Sequence, residues 1–195
     1  FDDYERAARN AKEAGFDGVQ LHAANGYLID QFLRDGTNLR DDGYGGSPQN
    51  RVRLMREVVE RLIAVWGKEH VSIRLSPNGE SQGCDDPDPA AIFGQAARVL
   101  QGLGVSFLEL RQPGPAGTFG QTDVPMQDAL IRSLYKGPLV LNSDYTAQQA
   151  DADVAIWTLR MAPGASWTLP PAASATTRRH MNFFKGGSVS IAGHQ

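Results

Sequence analysis

The feature of this sequence that most constrains its fold is a helix-then-strand cycle that occurs four times. In each cycle, apolar residues at spacings of three and four predict an amphipathic helix, and a glycine and a short apolar run follow it. The glycines are Gly15, Gly67, Gly104 and Gly137, and the runs cover residues 18–21, 71–75, 105–110 and 138–141. Glycine commonly ends a helix, and short runs bounded by turn residues favour strands. Strict alternation of helices and strands implies parallel strands joined by right-handed crossovers.

Two architectures satisfy this alternation, a doubly wound sheet and a (β/α)8 TIM barrel. No glycine-rich dinucleotide fingerprint follows any predicted strand, and this favours the barrel. A complete barrel typically needs about 250 residues. Because the chain has 195 residues and Phe1 already lies in a predicted helix, we expect a partial barrel with further strands upstream. The prediction is an α/β fold with four to five parallel strands, the partial barrel occupying residues 1–153.

The last part of the chain follows a different pattern. Residues 162–178 have neither the helical nor the strand period, and they contain three prolines. We therefore predict a divergent, irregular tail over residues 154–195, in which residues 155–157 could begin one more strand.

Three helix starts are also predicted from capping and proline patterns. Pro48 suits a first helical turn, and Asp88 before Pro89 suits a cap followed by a first turn. Asp123 is predicted to cap a helix that runs through residues 126–134.

Composition and charge exclude several classes of partner. The 22 acidic residues outnumber the 19 basic ones, which argues against a nucleic-acid surface. No run approaches the roughly 18 apolar residues of a membrane span, so we expect no membrane partner and a cytoplasmic protein. Cys84 is the single cysteine, so the chain has no internal disulfide. The pairs at positions 41–42 and 85–86 are aspartates without a histidine or third carboxylate at ligand spacing; we interpret them as solvated loops and propose no metal.

A compact group of polar residues lies where the first strand is predicted to end. His22, Asn25 and Tyr27 fall within six residues, between an apolar run and a helix-like stretch over residues 28–33. Each residue alone has an ordinary structural explanation, as a satisfied histidine, a turn residue or a core-edge tyrosine. Their clustering at the carboxyl end of a barrel strand, where such enzymes hold their chemistry, predicts an active-site corner.

Arg74 is a second candidate because it interrupts an otherwise apolar strand. An unpaired guanidinium is costly to bury, so Arg74 needs an anionic or carbonyl-rich partner. One candidate is Glu109 in the next predicted strand, and the other is an electron-rich ligand at the barrel mouth. Spacing alone does not separate these two alternatives.

Three stretches carry a recognisable family pattern, namely FDGVQLHAANGYLIDQFLRDGTNLRDDGYGGSPQNR, VSIRLSP and PLVLNSDYTAQQA. They resemble the C-terminal half of the old yellow enzyme family of flavin-dependent ene-reductases, especially the bacterial branch that includes N-ethylmaleimide and pentaerythritol tetranitrate reductases. The resemblance covers residues 1–152. It implies an FMN-binding (β/α)8 barrel that takes hydride from NAD(P)H and reduces an activated alkene or nitro compound.

By matching position, the resemblance also implies roles for single residues. His22 and Asn25 would hydrogen-bond the substrate's carbonyl or nitro oxygen, and Tyr27 would protonate the α-carbon. Arg74 would lie against the flavin's pyrimidine edge, which favours the ligand as its partner. The segment at Ser143 and Asp144 would approach the FMN phosphate through its backbone amides.

The sequence departs from the family pattern after residue 153, where the Gly-Arg step that completes the phosphate site is absent. A second interpretation therefore stays open beside the ene-reductase. The chain would then be a non-catalytic barrel remnant or interaction fragment that binds no flavin.

Overall fold

A computed structural model describes residues 1–117 and 120–142, together with the backbone of residues 154–155. These residues contain one five-stranded sheet with the order β1-β2-β3-β4-β5, in which every pairing is parallel. The strands are β1 Val19–Ala23, β2 Val71–Leu75, β3 Leu108–Arg111, β4 Leu139–Asn142 and β5 Val154–Ala155. The alternating α/β fold is therefore confirmed. The rest of the predicted tail lies outside the described residues, so the boundary at residue 153 stays a prediction.

Six α-helices lie between or beside these strands in the described part of the chain. They are α1 Asp2–Glu13, α2 Leu28–Leu33, α3 Pro48–Arg51, α4 Arg53–Trp66, α5 Pro89–Leu103 and α6 Asp128–Leu134. Two short 3-10 turns, Lys68–His70 and Ser81–Gly83, precede β2 and α5 respectively. None of the described helices is both long enough and apolar enough to cross a membrane.

Two of the predicted helix starts are confirmed and one is wrong. Pro48 occupies the first turn of α3, and Asp88 accepts a hydrogen bond from the Ala91 N–H at the start of α5. Asp123 does not cap a helix, because α6 begins only at Asp128. The Asn78 side chain donates to the carbonyl of residue 124, and the Gln127 side chain donates to the carbonyl of residue 125. These two hydrogen bonds hold the segment as a loop.

The core lies on one side of the sheet, where the helices pack. Strand residues that face the helices are almost fully buried and join helix residues in a single cluster. The strand members are Leu21, Ala23, Val71, Ile73, Leu75, Leu108, Leu110, Leu139 and Leu141. Because strand residues alternate between faces, the residues between them project to the opposite face, and most of these are polar. This polar face and the carboxyl ends of the strands carry the candidate site.

Candidate active site

The stretch after β1 forms a tight turn. The Tyr27 N–H donates to the Ala24 carbonyl at 3.3 Å, and both central residues have positive φ, 59° at Asn25 and 78° at Gly26. Positive φ at both central positions is the signature of a type I′ turn, which Asn-Gly favours strongly. A β-carbon at Gly26 would lie 2.5 Å from the Ser81 carbonyl oxygen, so glycine is also required sterically. The Asn-Gly pair thus reverses the chain directly at the strand end.

The turn brings the predicted catalytic side chains together. The rings of His22 and Tyr27 lie 5.2 Å apart between centroids, with a 48° angle between their planes. Both residues are exposed, and Tyr27 is 55% exposed. No described residue hydrogen-bonds the Tyr27 hydroxyl. Asn25 is half-buried, and its Oδ1 has no hydrogen-bond partner among the described residues. We call His22, Asn25 and Tyr27 the β1 corner.

The surroundings of His22 favour its neutral form. Partial burial lowers the pKa of His22 below its ordinary value of 6.5, and the nearby positive charge of Arg74 lowers it further. The carboxylates of Asp30 and Glu109 act in the opposite direction but do not reverse the shift. A neutral imidazole carries one N–H donor and one acceptor nitrogen. Near neutral pH, His22 can therefore donate a hydrogen bond without adding a charge.

Arg74 lies beside His22 on the polar face of the sheet. In the strand register, His22 pairs with Arg74, and Arg74 pairs with Glu109. The Arg74 Nη2 contacts the Glu109 Oε1 at 2.9 Å, so the protein partner considered from the sequence is present. However, the Arg74 Nε is buried and has no hydrogen-bond partner within the described residues. The ion pair with Glu109 thus leaves the Nε–H of this guanidinium without a partner among the described residues.

Glu109 is the centre of a small hydrogen-bond network on the same face. Its carboxylate, 3% exposed, accepts from Gln20 Nε2 at 3.0 Å and from Asn142 Nδ2 at 2.7 Å, besides the contact with Arg74. Three donors, from β1, β2 and β4, therefore compensate one buried negative charge. The sequence indicated Glu109 only as one of two partners for Arg74, because pairings across strands depend on the register.

A buried ion pair behind the β1 corner was not predicted from the sequence. Asp30 and Arg34 in and just after α2 form a salt bridge at 2.9 Å, with side chains 1% and 2% exposed. The Asp30 Oδ2 accepts from the Gly26 N–H at 3.0 Å and from the Ser76 hydroxyl at 3.1 Å. The available signal was an Asp and an Arg four residues apart in a predicted helical stretch.

The interpretation of both aspartate pairs as solvated loops is wrong for Asp86. Its side chain is 1% exposed and accepts from Arg51 Nη1 at 2.7 Å, while Asp42 forms an exposed pair with Arg40. Asp86 is buried because it also accepts the backbone N–H groups of residues 35 and 88, which join two loops. Among the described residues, no group of three or more His, Cys, Asp or Glu side chains could hold a metal ion. Ser143 and Asp144 lie outside the described residues.

The fold and the site together define a class of protein. Parallel βα units that carry a histidine, a tyrosine and an arginine at the carboxyl ends of adjacent strands have the arrangement of a (β/α)-barrel enzyme. Residues 1–158 match the NADH:flavin oxidoreductase / NADH oxidase family. The chain belongs to this family, whose cofactors are FMN and NAD(P)H.

Individual relatives agree with this assignment. A solved old yellow enzyme homologue from Zymomonas mobilis is 54% identical, with a TM-score of 0.78, over 80% of this chain and 46% of its own. Morphinone reductase is 39% identical, with a TM-score of 0.71, over 79% of this chain and 43% of its own. The 12-oxophytodienoate reductase 1 of Oryza sativa subsp. japonica is 37% identical over 155 residues, 79% of this chain and 41% of its own. The chain spans about half the length, or less, of the curated relatives that it matches.

These neighbours have the TIM-barrel fold of old yellow enzymes, so the five parallel strands form part of a barrel. The predicted fold class and family are therefore confirmed. The roles of single residues remain predictions.

Proposed function

We propose that this chain, with FMN bound, belongs to an ene-reductase that reduces the C=C bond of α,β-unsaturated carbonyl or nitro compounds. The observation that carries the proposal is the contact of His22 with Tyr27 at the end of β1, with Arg74 paired to His22 in the register. A hydrogen-bond donor, a phenol and a cation thereby share one end of the sheet. These are the groups that such a reduction needs around its substrate.

His22 and Asn25 bind the oxygen of the substrate in this proposal. Negative charge builds up on that oxygen when hydride adds to the β-carbon, and donors already in place stabilise the charge. The lowered pKa of His22 supports this role, because the imidazole stays neutral and offers one N–H. The Asn25 amide oxygen has no hydrogen-bond partner among the described residues, so the amide can turn to present its NH₂ group.

Tyr27 supplies the proton for the α-carbon. Its hydroxyl is free of hydrogen bonds to described residues and its ring is more than half exposed, so a substrate bound at His22 can reach it. The contact between the two rings limits the positions that the phenol can take. Oxygen binding and proton donation would thus occur within one short turn of the chain.

Arg74 would hold FMN in this proposal, and the residues present fit that role. Its buried Nε lacks a partner among the described residues, and the carbonyl-rich edge of a flavin offers acceptors for such a donor. Glu109 holds the other end of the guanidinium at 2.9 Å. Bound FMN supplies hydride transfer, with NAD(P)H as the reductant. A related solved structure is morphinone reductase in complex with tetrahydroNAD, 38% identical with a TM-score of 0.69, which supports the choice of a nicotinamide. The assignment of Ser143 and Asp144 to the FMN phosphate remains part of the proposal.

Flavin binding is the first test. Titrating the purified chain with FMN should shift the visible absorption of the flavin, and Arg74→Gln should weaken binding about tenfold, since it removes a charged hydrogen bond. Arg61→Gln is the matched control, because Arg61 is half-exposed and pairs with Glu5 across α1 and α4, outside the β1 corner. Failure of the chain to bind FMN would defeat the proposal and favour the interpretation as a non-catalytic barrel fragment.

Tyr27→Phe tests the proton donor. Loss of a general acid should slow alkene reduction about 100-fold or more, while flavin reduction by NAD(P)H should keep its rate. Tyr44→Phe is the control, because the Tyr44 hydroxyl donates to Glu57 away from the β1 corner. Stopped-flow measurement of the two half-reactions separates the effects. Equal slowing of both half-reactions would mean that Tyr27 is not the acid.

A further inference from the structure

We propose that Asp30 is a positioning residue of the β1 corner, an inference that rests on the function proposed for that corner. Within the described residues, the Asp30 carboxylate hydrogen-bonds none of the three corner side chains. It holds instead the backbone of the turn that carries them and ties this turn to the end of β2.

Two backbone N–H groups of the turn are held through Asp30. The Gly26 N–H donates to Asp30 Oδ2 at 3.0 Å, and the Asn25 N–H donates to Ser76 Oγ at 2.8 Å. The Ser76 hydroxyl in turn donates to the same Asp30 oxygen at 3.1 Å. The two residues with positive φ therefore both depend on Asp30, one directly and one through Ser76.

Ser76 lies close to the residue proposed to bind the flavin. It directly follows β2 and is two residues from Arg74, which the proposed function assigns to the flavin. The link through Ser76 thus joins the substrate side of the site to the flavin side, across two neighbouring strands. The sheet register fixes the strands themselves, but the turn lies beyond the last register pair, Ala23 with Leu75. Asp30 extends the fixed geometry past the end of the sheet.

Asp30 itself is held by partners on both of its carboxylate oxygens. Its Oδ1 pairs with Arg34 Nε at 2.9 Å, and the Arg34 guanidinium also donates to the carbonyls of Ser76 and Pro77. The guanidinium lies 4.6 Å from the ring centroid of Phe93. One carboxylate oxygen therefore pairs with the charged Arg34, and the other accepts from the Gly26 N–H and the Ser76 hydroxyl. Neither Asp30 nor Arg34 has a buried side-chain atom without a partner.

This arrangement matters for chemistry because reacting groups must be aligned closely. A displacement of about 1 Å in a residue far from the chemistry can cost about 100-fold in rate. Gln31 and Gln82 hold the turn through the carbonyls of Gly26 and Asn25, but its two N–H groups are held only through Asp30 and Ser76 among the described residues. Tyr27, at the N-cap of α2, adds no side-chain cap. A carboxylate suits the task, because it only accepts hydrogen bonds and here receives them from Gly26, Ser76 and Arg34.

Hydrogen exchange of backbone amides tests the proposal without any cofactor. In Asp30→Asn, exchange at Gly26 should be about tenfold faster, because a hydrogen bond to a charged acceptor is lost. In Ser76→Ala, exchange at Asn25 should rise while the Asp30–Arg34 pair is kept. Asp86→Asn is the matched control, since it removes the charge of another buried Asp–Arg pair outside the corner. It should change neither amide.

A role that is only structural predicts a different pattern. Asp30→Asn would then accelerate exchange throughout the core strands, with no excess at Gly26, and this result would overturn the proposal. If Asp30→Asn does not fold, Ser76→Ala decides, and unchanged exchange at Asn25 would also overturn it.

Steady-state kinetics with FMN, NADPH and 2-cyclohexenone form the second arm. Asp30→Asn and Ser76→Ala should both lower kcat/KM for the alkene at least tenfold and leave the rate of flavin reduction by NADPH unchanged. Asp86→Asn should behave like the wild type. Unchanged kcat/KM in both variants of an active wild type would overturn the positioning role. An inactive wild type whose variants still show the local exchange effects would defeat the proposed function and support the placement of the corner by Asp30.

Discussion

The two faces of the parallel sheet are built from residues of opposite character. On the helix side, Leu21, Ile73 and Leu108 are between 0% and 4% exposed and belong to the core cluster. On the other side, Gln20 and Arg74 donate to Glu109, and His22 pairs with Arg74 in the register. The same strands supply both faces because successive residues alternate between them.

The difference separates the face that stabilises this fold from the face that is proposed to bind ligands. Strands of parallel sheets are usually apolar on both faces, because helices or a packed barrel interior cover them. Here Gln20, His22, Ser72 and Arg74 interrupt β1 and β2 at every second position. A buried ion pair adds little net stability, since desolvation of the charges offsets their attraction. The apolar face thus stabilises the fold, and the proposed binding of flavin and substrate would account for the polar face.

Ile73→Ala should break this contrast most strongly. Ile73 is fully buried at the centre of β2, so truncation removes apolar contacts and leaves a cavity, which costs about 2–5 kcal/mol. Urea unfolding followed by circular dichroism measures the loss. Gln20→Ala, on the opposite face of β1, is the control and should cost less, about 1.5 kcal/mol at most, because it removes one hydrogen bond from an exposed side chain to the Glu109 carboxylate. Equal losses in the free energy of unfolding would mean that the two faces contribute equally to stability.

Glu109→Leu should have the next largest effect. It leaves Arg74 without its carboxylate partner and removes the acceptor of Gln20, which should cost about 1–3 kcal/mol. The lower part of that range applies because the Arg74 side chain is one-third exposed and partly solvated. Glu109→Gln retains an acceptor and should lose less.

Exposed Glu60, which pairs with Arg56 at 3.7 Å, supplies the control for this prediction. Its replacement by Gln should change the free energy of unfolding by less than about 0.5 kcal/mol. A variant Glu109→Leu as stable as the wild type would show that the network contributes no stability. Its effect on FMN binding would then be the remaining measure of its role.

Much of the fold followed from local sequence rules. The helix-then-strand cycle predicted four strands within a few residues, and Gly104 ends α5 with a φ of 68°, as its position suggested. These features were predicted correctly because they depend on residues that are close together in the sequence. The helix expected from Asp123 failed because distant Asn78 holds that segment through the Val124 carbonyl.

The candidate site was predictable only in part, for the same reason. The β1 corner lies within six residues, so its members could be recognised together. The Asp30 contact with Ser76 spans 46 positions, and the Arg51 contact with Asp86 spans 35. Contacts over such distances depend on how β1 and the loops meet in space, and no periodic pattern encodes them.

The smallest expected effect concerns the protonation of His22 on the polar face. Its pKa should be measured below 6.5 by NMR titration of the ring protons, because partial burial and Arg74 both disfavour the imidazolium. Arg74→Gln should raise this pKa toward 6.5 without fully restoring it, since burial is the larger cause.

Well above pH 6.5 the His22 imidazole is neutral in both the folded and the unfolded state. As the pH falls through 6.5, the unfolded chain takes up the proton first, so the free energy of unfolding decreases until the folded-state pKa is passed. His22→Asn should remove this part of the pH dependence. A pKa of 6.5 or higher in the wild type would contradict the electrostatic description of this face, and so would an Arg74→Gln variant whose His22 pKa falls.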